Sequence, residues 1–111
     1  MDNCVFCNIA NHTQSADILF ENENVVVFSD IMPQAPVHLQ VIPKEHIPSV
    51  NELSPDKQNL ISEMILIAKQ QAYERNIAQD GYKLVFNVGK HGGQVIPHLH
   101  LHLLGGKQLP E

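Results

Sequence analysis

The chain has 111 residues, 43% of them hydrophobic and 17% charged, with a formal net charge of −5. That composition fits one globular domain spanning 1–111 and excludes a disordered chain. The negative balance argues against a nucleic-acid binder, which needs clustered Lys and Arg, and no apolar run approaches the roughly 20 residues of a membrane span.

The start, "MDNCVFCNIANH", has no basic segment followed by an apolar one. No secretory signal is therefore expected, and the cytoplasm is the expected compartment. There the pair Cys4 and Cys7 points to a metal or redox site rather than a disulfide. "NVVVFSD" (24–30) is a β-branched run ending in a polar turn and predicts a strand. The two prolines of "MPQAP" (32–36) break it. "VHLQVIP" (37–43) alternates, with Val37, Leu39 and Val41 on one face and His38, Gln40 and Ile42 on the other. Ser54 and Pro55 predict a helix start, with Ser as N-cap, Pro at the first helical position and Asp56 in the first turn. Leu60, Ile61, Met64, Ile65, Ala68 and Ala72 then recur at helical spacing to about Arg75. Asp80 and Gly81 end that region. "YKLVFNVG" (82–89) alternates as a third strand, "KHGGQ" (90–94) is a Gly-rich turn, and "HLHLHLL" (98–104) is a fourth strand. The tail "GGKQLPE" is too short and polar for another element. The fold class is α+β, an antiparallel sheet with one main helix.

On the last strand Leu99, Leu101 and Leu103 share one face, and His98, His100 and His102 share the other at about 6–7 Å spacing. The leucine face is ordinary core. The histidine face admits three readings: a solvated face that happens to be His-rich, a three-histidine catalytic zinc site, or catalysis by imidazole itself. In the last, one neutral His attacks while neighbours donate hydrogen bonds to developing negative charge. Histidine suits attack on phosphorus because its pKa near 6.5 leaves much of it unprotonated at neutral pH.

"HLHLHLL" resembles the His-φ-His-φ-His-φ-φ signature (φ apolar) of the histidine triad family of nucleotide hydrolases and transferases. The segments 28–47, 81–94 and 103–108 are similar to its Hint branch of nucleoside phosphoramidate hydrolases, so the likeness runs from about Cys4 to Gln108. It implies a five-stranded antiparallel sheet with one main helix and a short N-terminal helix. It also implies a homodimer joined through the main helix and the strand at 82–88 into a continuous sheet. His100 would be the nucleophile that forms a covalent nucleotidyl intermediate, its other ring nitrogen donating to a backbone carbonyl. His102 would stabilise charge on the phosphoryl oxygens, with His38 beside the cluster. Asp30 and Ile31 would contact the nucleoside, and Phe6, Ile9 and Phe28 the base, although each of these three reads equally as core. Asn87 and the turn of Gly92, Gly93 and Gln94 would form the phosphate side, with the backbone N–H of Val95.

Two departures stand out. Hint proteins carry a Ser where this chain has Val95, so no hydroxyl is available there for the leaving amine. The Trp-containing C-terminal tail of many Hint proteins is also missing from this sequence. Some histidine triad proteins and their uridylyltransferase relatives bind structural zinc through a Cys-x-x-Cys pair and two histidines. The matching positions are Cys4, Cys7, His46 and His98. The resemblance therefore implies a purine nucleoside phosphoramidate hydrolase or nucleotidyl transferase acting on AMP- or GMP-type nucleotides, with no catalytic cofactor and a structural zinc. The alternatives are a Fhit-like dinucleoside polyphosphate hydrolase, or a nucleotide-binding or protein-interaction module with vestigial activity.

Overall fold

The structure, a computed structural model, describes residues 3–111. Met1 and Asp2, the first residues of the start read above and of the 1–111 domain, lie outside the described residues. In chain order the elements are α1 (Val5–Ala10), β1 (Ile18–Glu21), β2 (Val25–Ser29), β3 (Val37–Pro43), α2 (Gln58–Glu74), β4 (Tyr82–Phe86) and β5 (Leu101–Gly105). The five strands form one antiparallel sheet in the order β1-β2-β3-β5-β4, as the family likeness implies. Because β5 inserts between β3 and β4, the histidine segment runs through the middle of the sheet.

Side-chain alternation gives the sheet two different faces. On one, Val25, Val27, Leu39, Val41, Leu101 and Leu103 pack with Met64, Ala68 and Ala72 of α2. On the other, Val26, Phe28 and Ile42 pack with Phe6, Cys7 and Ile9 of α1. β2 is buried on both faces, which is why its sequence is an unbroken apolar run. Where β5 ends, a Cβ on Gly105 would stand 2.6 Å from Ile77 Cδ1 and 3.3 Å from Tyr82 Cβ, so any side chain there would force Ile77 to shift.

Five expectations change, one being the third strand, which ends at Phe86 rather than at Gly89. β1 is absent from the element-by-element reading, because "ILFE" is too short to show a period. Ser54 and Pro55 open a 3-10 turn, Pro55–Lys57, and the α-helix begins only at Gln58. The Ser54 hydroxyl donates to the Asp56 carboxylate rather than accepting from the backbone, so it caps nothing. Ile65 leaves the buried stripe for the exposed side of α2, and Gln71 is buried instead. The fourth strand begins at Leu101 rather than His98. The backbone of the preceding residues is committed elsewhere: His98 N–H donates to Ile96 O, and Leu99 N–H to Ile47 O at 2.6 Å. The two-residue alternation persists nonetheless, with Leu99 in the α2-side core and His98 and His100 against Phe6.

Candidate active site and candidate metal centre

α1 covers only part of the sheet face opposite α2, and the rest is an open cleft of about 640 Å³, a size suited to a small ligand. Antiparallel register writes its floor in rows. Gln40, His102 and Val85 form one row across β3, β5 and β4. His38, Leu104 and Lys83 form the next. His100 follows at the mouth of β5, and Phe6, Asp30, Ile31, Asn87, Gly93 and Val95 complete the walls.

Hydrogen bonds to the backbone decide which ring nitrogens carry protons. His100 Nδ1 lies 2.7 Å from the His98 carbonyl, which can only accept. Nδ1 therefore holds the proton, and His100 Nε2 keeps its lone pair. The Gln34 backbone N–H donates to His38 Nδ1 at 3.1 Å, so the His38 proton sits on Nε2. That Nε2–H donates to His102 Nδ1 at 3.0 Å. The His102 proton is left on its own Nε2, which no hydrogen bond to the described residues occupies. One backbone carbonyl and one backbone amide thus set an unprotonated nitrogen on His100 beside an N–H donor on His102, the two rings 5.0 Å apart.

Burial keeps these rings neutral. It pushes the His100 pKa below the ordinary value, against smaller opposing effects of its bond to His98 and of Asp30. It pushes His102 down to about 4, helped by His100 and then His38. His38 is lowered by burial, partly offset by Asp30.

The Asp30 carboxylate is anchored at both oxygens. Oδ1 accepts from the Met32 backbone N–H at 2.8 Å, a turn contact, and Oδ2 accepts from the Gln40 amide at 2.7 Å. Oδ2 also lies 3.4 Å from His38 Nε2. Asp30, His38 and His102 are close enough to suggest a cation site. The donor chemistry does not fit one, because His38 Nε2 already carries the proton that Gln34 denies to Nδ1.

The Gly-rich turn is built by side chains. Asn87 Nδ2 donates to the Gly92 carbonyl at 2.8 Å, and Gly93 adopts a left-handed φ of 81°. Gln94 does not line the cleft. Its amide braces the turn from behind, accepting from Gly89 N–H and donating to the Pro48 and Ile96 carbonyls. Val95 is 88% exposed at the cleft edge, and Ile31 faces solvent on the other side.

The four residues matched to zinc ligands also meet. Cys4 is the N-cap of α1, its Sγ accepting from the Cys7 N–H. His98 Nε2–H donates to the Pro43 carbonyl at 2.8 Å, which leaves Nδ1 as the nitrogen with a lone pair. That nitrogen lies 3.3 Å from Cys4 Sγ, 3.5 Å from Cys7 Sγ and 3.2 Å from His46 Nδ1. His46 Nδ1 is in turn 3.2 Å from Cys7 Sγ. Tetrahedral zinc with ordinary bond lengths needs S···N edges of about 3.6 Å and an N···N edge of about 3.3 Å. The soft donors, their spacing and the His98 tautomer all fit that ion. Burial, then the Cys4 thiol, push Cys7 up to about 11, so without a cation its sulfur stays protonated.

The structure therefore brings together His38, His100, His102, Asp30, Ile31, Asn87, Gly93, Val95 and Phe6 at one cleft, and Cys4, Cys7, His46 and His98 behind it. Ile9 and Phe28 stand outside the cleft lining. Phe28 packs edge-on to Phe6, with centroids 5.4 Å apart, so these two back the wall. Sequence reasoning passed over Gln40, although its place on the His38 face of the second strand was the signal. It also passed over Leu109 and Pro110, tail residues that close one side of the cleft, where Lys83 Nζ donates to the Pro110 carbonyl at 2.6 Å.

The family described as scavenger mRNA decapping enzyme C-term binding matches residues 3–109. The purine nucleoside phosphoramidase of Escherichia coli (strain K12) is 41% identical over 105 residues, covering 95% of this chain and 88% of that protein. A solved HIT family hydrolase from Legionella pneumophila Philadelphia 1 superposes with a TM-score of 0.96 at 45% identity, over 97% of this chain and 96% of that one. A Zn-bound histidine triad family protein from Mycobacterium smegmatis superposes with a TM-score of 0.81 at 29% identity, over 96% of this chain and 76% of that one.

Proposed function

The chain belongs to the histidine triad family, and on that ground we propose that it hydrolyses purine nucleoside 5′-phosphoramidates. One observation carries this reading: His100 Nε2 is free to attack while His102 Nε2–H is free to donate, the first fixed by the His98 carbonyl at Nδ1 and the second by His38, itself held by the Gln34 amide, at Nδ1. His100 Nε2 attacks the α-phosphorus, the P–N bond to the leaving amine breaks, and a nucleotidyl-histidine forms. His102 donates to the phosphoryl oxygen on which charge builds up. The amine takes its proton from water or from the histidine pair, since Val95 has no hydroxyl. Water then cleaves the phosphorus–histidine bond and releases the nucleoside monophosphate. Asp30 accepts from ribose hydroxyls, Ile31 and Phe6 flank the base, and the backbone N–H of Val95 donates to the phosphate, since those of Gly93 and Gln94 are bonded to the Lys90 and Gly89 carbonyls.

Cys4, Cys7, His46 and His98 hold a structural zinc ion in this reading, supported by the donor set and the His98 tautomer. Bound there, zinc would join α1 to the segments before and after the sheet's central strands. The ion takes no part in the reaction, and a cytoplasmic setting suits the reduced thiol pair. A homodimer is supported by the apolar residues Leu66 and Tyr73 on the outer side of α2 and by Leu84 on the edge strand β4, all exposed. A binding module with vestigial activity has the exposed, hydroxyl-free Val95 in its favour.

The test is turnover of a fluorogenic adenosine phosphoramidate by wild type and His100→Ala, with and without a chelator. Activity that needs His100 and survives chelation is expected. An inert wild type, or a fully active His100→Ala, refutes the hydrolase. Loss on chelation with the fold intact points to catalytic metal.

A further inference from the structure

Gln40 is a polar side chain in a place built for an apolar one. It sits mid-strand in β3, between Phe28 and His102 in the register, and is only 5% exposed. Its amide orientation is settled by Asp30, whose carboxylate only accepts: Nε2 faces Oδ2 at 2.7 Å. The other end, Oε1, is buried and has no hydrogen-bond partner among the described residues. A buried carbonyl without a donor costs free energy, and proteins keep few of them. This one belongs to a residue that lines the cleft.

What could satisfy it follows from the chemistry around it. An amide oxygen accepts only, so its partner must bring a hydrogen. Phosphoryl oxygens are excluded, and they belong one strand away with His102 in any case. The nearest neighbour of Gln40 in the cleft is the Asp30 carboxylate, also an acceptor. Two acceptors side by side suit two adjacent donors, such as the vicinal hydroxyls of a ribose whose 5′-phosphate reaches His100 and His102. Resting on the nucleotide reading above, we propose that Gln40 is a specificity residue: its Oε1 accepts from a sugar hydroxyl while its Nε2 positions Asp30, so that the cleft prefers ribo- over deoxyribonucleotides.

The experiment compares kcat/KM for adenosine 5′-phosphoramidate, its 2′-deoxy and 3′-deoxy forms, and the analogue lacking the 6-amino group. The proteins are wild type, Gln40→Met, Asp30→Ala and the double variant. Met keeps the volume and removes both polar atoms, so the fold should survive, as thermal unfolding will report; Gln40→Leu serves if it does not. The preference for ribose over at least one deoxy form should shrink about fivefold in Gln40→Met, the worth of one neutral hydrogen bond. It should shrink again when Gln40→Met is added to Asp30→Ala, which a purely positioning role would not produce. An unchanged preference, a change seen only with Asp30 present, or a loss that follows the 6-amino group overturns the proposal. If wild type binds adenosine monophosphate in calorimetry but turns nothing over, the hydrolase reading has failed alone, and the same preferences are read from Kd. If it binds no nucleotide, both have failed.

Discussion

His100 and His102 belong to one residue type and one short segment, yet their protons sit on opposite nitrogens. The carbonyl of His98 holds the proton of His100 at Nδ1, and the Gln34 amide, through His38, holds that of His102 at Nε2. Replacing His102 with Ala should lower kcat by about two orders of magnitude, as loss of one aligned donor does, with little change in substrate Kd by calorimetry. The pH profile has a definite sign. Both histidines act as neutral rings, and burial lowers both, His102 to about 4. The kcat/KM value should therefore hold steady as pH falls from 7 through 6.5 and drop only at more acidic pH. Stability runs the same way: the unfolded chain protonates His102 near 6.5 and the folded chain near 4, so unfolding becomes easier as pH falls through that window. Urea midpoints at pH 7 and pH 5 will report it, with a smaller difference in His102→Gln. Val95 offers a third check. Being 88% exposed, it can become Ser without structural cost. Val95→Ser should raise phosphoramidate turnover severalfold at an unchanged unfolding midpoint.

At the level of elements, the site depends on strands that present alternate faces and on segments that end where they must. Gly105→Ala puts a methyl 2.6 Å from Ile77 Cδ1 at the end of β5. A cost of about 1–3 kcal/mol is expected from overpacking there, read as a lowered urea midpoint with the slope unchanged. The proposed zinc joins the start of α1, the segment after β3 and the segment before β5. Chelation or Cys7→Ser should therefore lower the thermal midpoint and release one zinc per chain. Much of this arrangement was legible in the sequence. Alternation in "VHLQVIP" and "HLHLHLL" placed His38 and the triad on one face, because that period survives even where ladder bonding stops at Leu101. The meeting of Cys4 and Cys7 with His46 and His98 was not legible from spacing, since it joins residues up to 94 apart. Only the family likeness pointed to it. β1 and the exposed place of Ile65 escaped for a related reason: short runs and helix edges are decided by what packs on them.

The whole molecule is a sheet with one face spent on α2 and the other shared between α1 and a cleft. What remains exposed is informative: Leu66 and Tyr73 on α2 are 61% and 71% exposed, and β4 is an edge strand. The proposed dimer covers both, so sedimentation should find two copies per particle for wild type and one for Leu66→Glu combined with Tyr73→Lys. The central claim, that His100 Nε2 attacks phosphorus, is tested most directly by rapid alkaline, denaturing quench of a single turnover, which preserves a phosphorus–nitrogen bond, followed by peptide mass spectrometry. The tautomer arrangement predicts a transient nucleoside monophosphate adduct on the peptide containing His100, absent in His100→Ala and still formed in His102→Ala at a lower rate. An adduct mapped to His102 or His38, or full turnover with no adduct at any quench time, would contradict it.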